Sequence, residues 1–127
     1  MDGRSEALRG LRILVAEDEM LVLMEIEDML GELGCVVVAR ASTVAAALAM
    51  ADDTALDGAL LDMNLRRESI LPVAEKLMAR NVPFFFITGY AGRAGETPIL
   101  ADALRLTKPF TKRVLSNAMV QAFAGRN

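Results

Sequence analysis

The 127-residue chain has no histidine, no tryptophan, one cysteine and one tyrosine. Without histidine it lacks the commonest general base and the commonest nitrogen ligand for metals. A single Cys35 forms no internal disulfide, and with no histidine or second cysteine there is no zinc site. Its neighbours Val36 to Val38 mark it as a buried, inert thiol. Positive charge is also short. Lys and Arg total 14 against 17 Asp and Glu, and a net charge of −3 offers no basic face to nucleic acid. No apolar run is long enough to span a bilayer, and the opening residues MDGRSEALRG contain no apolar signal segment. What is there is a globular composition, 54% hydrophobic, at the length of one domain. A soluble cytoplasmic domain with no membrane and no nucleic-acid partner is expected.

The most informative stretch is Ala59-Leu60-Leu61-Asp62-Met63-Asn64. Gly58 to Leu61 is apolar throughout and reads as a buried parallel strand. It ends on a carboxylate, which is costly to desolvate and belongs at the solvated end of the strand. Around it, strands and helices alternate. Residues 1–10 read as a loose lead-in or a frayed helical turn, ahead of a domain spanning 11–127. Strands are expected at 11–16, 35–39, 58–62, 84–88 and 104–107. Helices are expected at 20–33, with Val22, Ile26, Met29, Leu30 and Leu33 inward and Gly34 as its stop, and at 43–51 behind a Ser42 or Thr43 cap. A third runs from Ser69 to Arg80 with Pro72 early and Val73, Ala74, Leu77 and Met78 inward. The last starts at Thr111 and ends near Phe123. Gly92, Gly95 and Pro98 allow only a short helix near 98–103. Alternation of this kind implies a parallel sheet with helices on both faces.

In such a sheet, ligands bind beyond the carboxyl ends of the strands. Those ends carry Glu17-Asp18, Asp62, Thr88 and Lys108. Taken singly each has a plain reading: an acidic first turn of a helix, a turn-capping aspartate, a strand threonine, a solvated lysine. Their joint placement on one edge points to a shared site. Strands lie about 4.8 Å apart, so carboxylates on neighbouring ends repel unless a cation sits between them. Mg²⁺, a small hard cation that takes oxygen ligands and keeps waters, suits the set. A phosphoryl group would complete it, with Lys108 and Thr88 on its oxygens. An aspartate is a competent nucleophile for phosphoryl transfer once that charge is neutralised.

With ILVAEDE at 13–19, LLDMNL at 60–65, FITG at 86–89 and TKPF at 107–110, the chain resembles the receiver domains of two-component response regulators from about Leu11 to Ala124. The resemblance implies a flavodoxin-like, doubly wound sheet of five parallel strands in the order 2-1-3-4-5, with five helices, the fourth short or irregular. It implies Asp62 as phosphoacceptor, with Asp18 and Asp62 holding Mg²⁺, Glu17 contributing through water and Asn64 through its backbone carbonyl. Thr88 and Lys108 would contact the phosphoryl group, and the Lys108-Pro109 bond would be cis. The implied partners are a histidine kinase or histidine phosphotransfer protein and a downstream target protein. Docking is expected on the first long helix and the loop after the last strand. Such a domain catalyses only its own phosphorylation and dephosphorylation and is not an enzyme in the wider sense. No output domain is expected after Phe110, so the signal would pass by protein–protein contact.

Several positions depart from the family pattern. Glu17 stands where Asp is more usual, and Arg66 where proline is. Arg105 falls where an aromatic switch partner is common. With FFFITGY these features resemble a single-domain variant subclass whose fourth strand ends Phe-x-Thr-Gly. Residues 91–100 would then be mobile until Thr88 engages a phosphoryl group. A degenerate receiver that binds partners without phosphorylation is the alternative. An aspartyl-phosphate hydrolase is disfavoured by Asn64, where a second carboxylate would stand.

Overall fold

The computed structural model describes residues 3–89 and 104–124. Five parallel strands form the sheet: β1 (Arg12–Ala16), β2 (Val36–Ala41), β3 (Gly58–Asp62), β6 (Phe84–Thr88) and β7 (Arg105–Thr107). Their order is β2-β1-β3-β6-β7, the doubly wound order implied by the resemblance. Strands β4 (Asn64–Leu65) and β5 (Glu68–Ser69) form a separate small hairpin. The helices are α1 (Gly3–Leu8), α2 (Met20–Glu32), α3 (Val44–Asp53), α4 (Leu71–Ala79) and α5 (Lys112–Met119), the last running into a π-helical turn at Val120–Ala124. The short helix expected near 98–103, and the switch segment 91–100, lie outside the described residues.

The central strands are apolar because both their faces are covered. Successive side chains alternate between two cores. Leu14, Ala16, Ala59, Leu61 and Phe86 pack beneath α3 and α4. Ile13, Val15, Leu60, Phe85 and Ile87 pack beneath α2 and α5. Thr43 caps α3 by accepting from the Ala46 amide at 3.1 Å, and Thr111 caps α5 by accepting from Val114 at 3.2 Å. Gly34 stops α2 at φ 93°, a left-handed turn that only glycine adopts without strain.

The structure differs from the sequence reading at several places. The lead-in takes the helical alternative, but it is not loose: Leu8 is fully buried in the second core. Strand β2 begins and ends later than 35–39. In α2 and at its C-cap, Ile26, Leu30 and Leu33 are buried as expected, but Leu23 is buried too, while Val22 and Met29 are only half-buried. Met78 is exposed rather than inward. Helix α4 starts later than expected, with Ile70 at its N-cap position making no side-chain cap bond, and the Ser69 hydroxyl accepting from the Leu71 amide at 3.1 Å. Cys35 is buried, donates to the Leu8 carbonyl at 3.5 Å, and is pushed by burial to a pKa of about 11. That is an inert thiol at neutral pH.

Gly58 opens β3 because nothing larger fits. A Cβ there would lie 2.7 Å from the ring of Phe123. Phe123 is buried and stacked on Phe85 with ring centroids 5.7 Å apart, so it has no free direction to yield. Gly58→Ala should destabilise the fold by about 1–3 kcal/mol through overpacking. Chemical denaturation would measure it, and an unchanged midpoint would show that the π-helical turn yields instead.

Candidate functional site

Register brings the strand ends level. Ala16 pairs with Leu61, so Glu17 follows beside Asp62. Asp62 pairs with Ile87, and Thr88 pairs with Thr107, so Thr88 and Lys108 close the row. The Lys108 amide donates to the Thr88 carbonyl at 2.7 Å, and the Glu17 amide donates to Ala41 at 2.9 Å. The Lys108-Pro109 bond is cis.

Glu17, Asp62 and Thr88 are all buried. Glu17, Asp18 and Asp62 each offer a carboxylate oxygen, and the three oxygens lie within 4.8 Å of one another. Lys108 answers part of that charge. Its Nζ donates to Glu17 Oε1 at 3.1 Å, Asp62 Oδ2 at 3.2 Å and Glu19 Oε1 at 3.5 Å. Burial works to lower the lysine pKa, but Asp62 and Glu17 outweigh it and hold the ammonium above its ordinary value. Glu17 moves the other way. Desolvation raises its carboxyl to about 7, helped by Asp62 and opposed by the Glu19 amide and Lys108. Near neutral pH the metal-free edge therefore keeps a proton at Glu17 for much of the time. All-oxygen donors suit a hard divalent cation and suit a soft one poorly, and a bound cation would have to displace the Glu17 proton.

Each residue expected at the site is at this edge, except that for Asn64 only the backbone is described. It opens β4, pairing with Ser69. Two contributors were missed. Glu19 reaches Lys108, and the Glu19 amide donates to Glu17 Oε2 at 3.0 Å. The acidic run Glu17-Asp18-Glu19 was the available signal. The Arg66 amide donates to Asp18 Oδ2 at 2.9 Å. A backbone donor 48 residues away leaves no mark in the sequence.

A family model for the response regulator receiver domain matches residues 13–120. The chain belongs to that family, the receiver domains of two-component signalling. It is 34% identical over 115 residues to the phyllosphere-induced regulator PhyR of Methylorubrum extorquens, covering 87% of this chain and 42% of that protein. It thus spans less than half the length of that curated relative. Among solved structures it is similar to SdrG from Sphingomonas melonis Fr1, at 41% identity and a TM-score of 0.78, covering 87% of this chain and 94% of that one. SdrG in its BeF3-activated conformation, from Pseudomonas melonis Fr1, gives 40% identity and a TM-score of 0.74, covering 87% and 95%. The receiver domain of the sensor histidine kinase PA1611 from Pseudomonas aeruginosa PAO1, with a magnesium ion in its active-site cleft, gives 26% identity and a TM-score of 0.79, covering 92% and 99%. Receiver domains bind Mg²⁺ at an acidic site, and the cluster of Glu17, Asp18 and Asp62 is of that kind.

Proposed function

We propose that Asp62 accepts a phosphoryl group from a phosphohistidine of a histidine kinase or phosphotransfer protein. Glu17, Asp18, Asp62 and the Asn64 backbone would hold Mg²⁺, which supplies charge neutralisation at the transferring group. The observation that carries this reading is the Lys108 ammonium bridging Asp62 and Glu17 at a buried edge. A carboxylate oxygen of Asp62 attacks phosphorus, the phosphorus–nitrogen bond breaks, and the departing imidazole takes a proton from solvent. Lys108 neutralises the oxygens as they arrive, and the Thr88 hydroxyl donates to one of them. That the similar protein SdrG has a BeF3-activated conformation supports activation by an acceptor of this kind.

The kinase or phosphotransfer protein would dock beside the acceptor. Met20, Leu21 and Met24 are exposed on α2, and a cleft between α2 and the loop after β7 is lined by Val22, Met29, Lys108 and Phe110. Apolar side chains grouped there, next to the reacting lysine, fit a partner helix. The resulting signal would pass to a target protein by contact, in the cytoplasm. Among the described residues no helix is long and apolar enough to cross a membrane.

Intact-mass measurement with a small-molecule phosphodonor tests the proposal. The chain should gain one phosphoryl group with Mg²⁺ present and none once the metal is chelated. An unchanged mass in both conditions would favour a partner-binding module that works without phosphorylation.

A further inference from the structure

The tight turn that follows the acceptor strand is built from the wrong residues for its shape. Strands β4 and β5 pair antiparallel, Asn64 with Ser69 and Leu65 with Glu68. The two residues between them, Arg66 and Arg67, both have positive φ, 47° and 68°. Two consecutive left-handed residues make the tight hairpin turn for which Asn-Gly is the usual filling. An arginine Cβ crowds the following carbonyl in that conformation. Such a turn persists only where its surroundings hold it.

Three contacts hold it. Leu65, just before the turn, is fully buried. The Arg66 Nε donates to the Ser42 carbonyl at 3.1 Å, tying the turn to the loop before α3. The Arg66 amide donates to Asp18 Oδ2 at 2.9 Å, tying it to the loop after β1. We propose that the Arg66 backbone amide is a positioning group that fixes the Asp18 carboxylate for cation binding, and that the β4–β5 hairpin serves to present it. The inference rests on the reading of Asp18 as a metal ligand. A carboxylate oxygen has lone pairs to spare after accepting one N–H, and a ligand carboxylate held by an outer hydrogen bond binds metal in a fixed orientation. Asp18 is only half-buried, so burial alone does not fix it. The guanidinium plays a different part: it anchors the turn, and its charge points to Ser42 rather than to the carboxylates.

The amide and the side chain can be separated. Arg66→Gly keeps the N–H and the left-handed backbone and removes the guanidinium. Arg66→Pro removes the N–H and forbids a positive φ. Calorimetric titration with Mg²⁺ should show affinity roughly 10- to 100-fold weaker in Arg66→Pro, and within about threefold of wild type in Arg66→Gly. Equal loss in both variants, or loss in neither, would overturn the assignment to the amide. Wild type against Asp18→Ala tests the underlying reading separately: equal Mg²⁺ affinity there means that Asp18 is no ligand. A metal-free measurement covers the case in which Arg66→Pro does not fold. The Arg66 amide should exchange with solvent roughly tenfold more slowly than the Arg67 amide, and that protection should vanish in Asp18→Ala. Exchange at Arg66 that Asp18→Ala leaves unchanged would also overturn the proposal.

Discussion

Asp62→Asn is expected to take up no phosphoryl group under conditions that fully modify the wild type. The amide is not a nucleophile of comparable strength, and no other carboxylate shares the position of Asp62 at the end of the buried strand β3. The same variant should be at least as stable as the wild type without metal, so the loss cannot be assigned to unfolding. Asp62 contributes one of three carboxylate oxygens lying within 4.8 Å of one another. Its replacement removes repulsion, while the asparagine oxygen can still accept from Lys108, now 3.2 Å from Asp62 Oδ2.

Glu17 gives the pH dependence. Its folded pKa is about 7 against an ordinary 4.5, raised first by desolvation and further by Asp62. A carboxyl raised in the folded state binds more protons folded than unfolded. Metal-free stability is therefore greatest below about 4.5 and falls as the pH climbs through about 7. A tenfold difference in proton affinity between the folded and unfolded chain is worth about 1.4 kcal/mol. Asp62→Asn removes the Asp62 contribution, so its decline should stop at a lower pH than that of the wild type. Thermal melts between about pH 4 and pH 8 would show it. A variant that melts well below wild type throughout this range, or that still gains mass, would remove Asp62 from its assigned role.

Much of this edge was legible because strand ends are chemically marked. Each apolar run that crosses the sheet ends on a polar residue at the same edge, and Glu17, Asp62, Thr88 and Lys108 stand there, although Glu17, Asp62 and Thr88 are buried rather than solvated. The sheet order followed from family resemblance, and the alternation of strands and helices agreed with it. What was not legible has physical causes. In α2 the stretch Met20-Leu21-Val22-Leu23-Met24 is apolar on every side, so periodicity does not fix which side is inward. The sheet buries Leu23 and leaves Leu21 exposed. In α4 the stripe of Val73, Ala74 and Leu77 is complete without Met78. The β4–β5 hairpin was invisible because Arg66-Arg67 is not a turn sequence, and its conformation depends on contacts with Asp18 and Ser42. Helix α1 offers one large apolar residue, Leu8, and its burial depends on a cavity that other elements create.

Lys108→Met is expected to move two properties in opposite directions. The Lys108 Nζ lies 3.1 Å from Glu17, 3.2 Å from Asp62 and 3.5 Å from Glu19. Its pKa is held above the ordinary lysine value by Asp62 and Glu17 against the effect of burial, so the charge is present throughout the neutral range. Methionine preserves the apolar stem and removes that charge. Two buried carboxylates then lose their cation, a change that costs about 3–5 kcal/mol when no other charge compensates. Protonation of Glu17 offsets part of this, because loss of Lys108 pushes its pKa further above about 7. The metal-free melting temperature should therefore fall, and fall most at high pH. Mg²⁺ affinity should rise, by roughly tenfold or more, since a competing positive charge has left the same cluster. Phosphoryl uptake should nevertheless slow by about 10²–10³-fold, the usual loss when a preorganised charge at the transferring group is removed. Calorimetry with Mg²⁺ and timed intact-mass measurement would read the two quantities. If Mg²⁺ affinity and phosphoryl uptake fell together, Lys108 would be a structural tie between β7 and β1. If uptake were unchanged, the phosphoryl oxygens would be neutralised elsewhere.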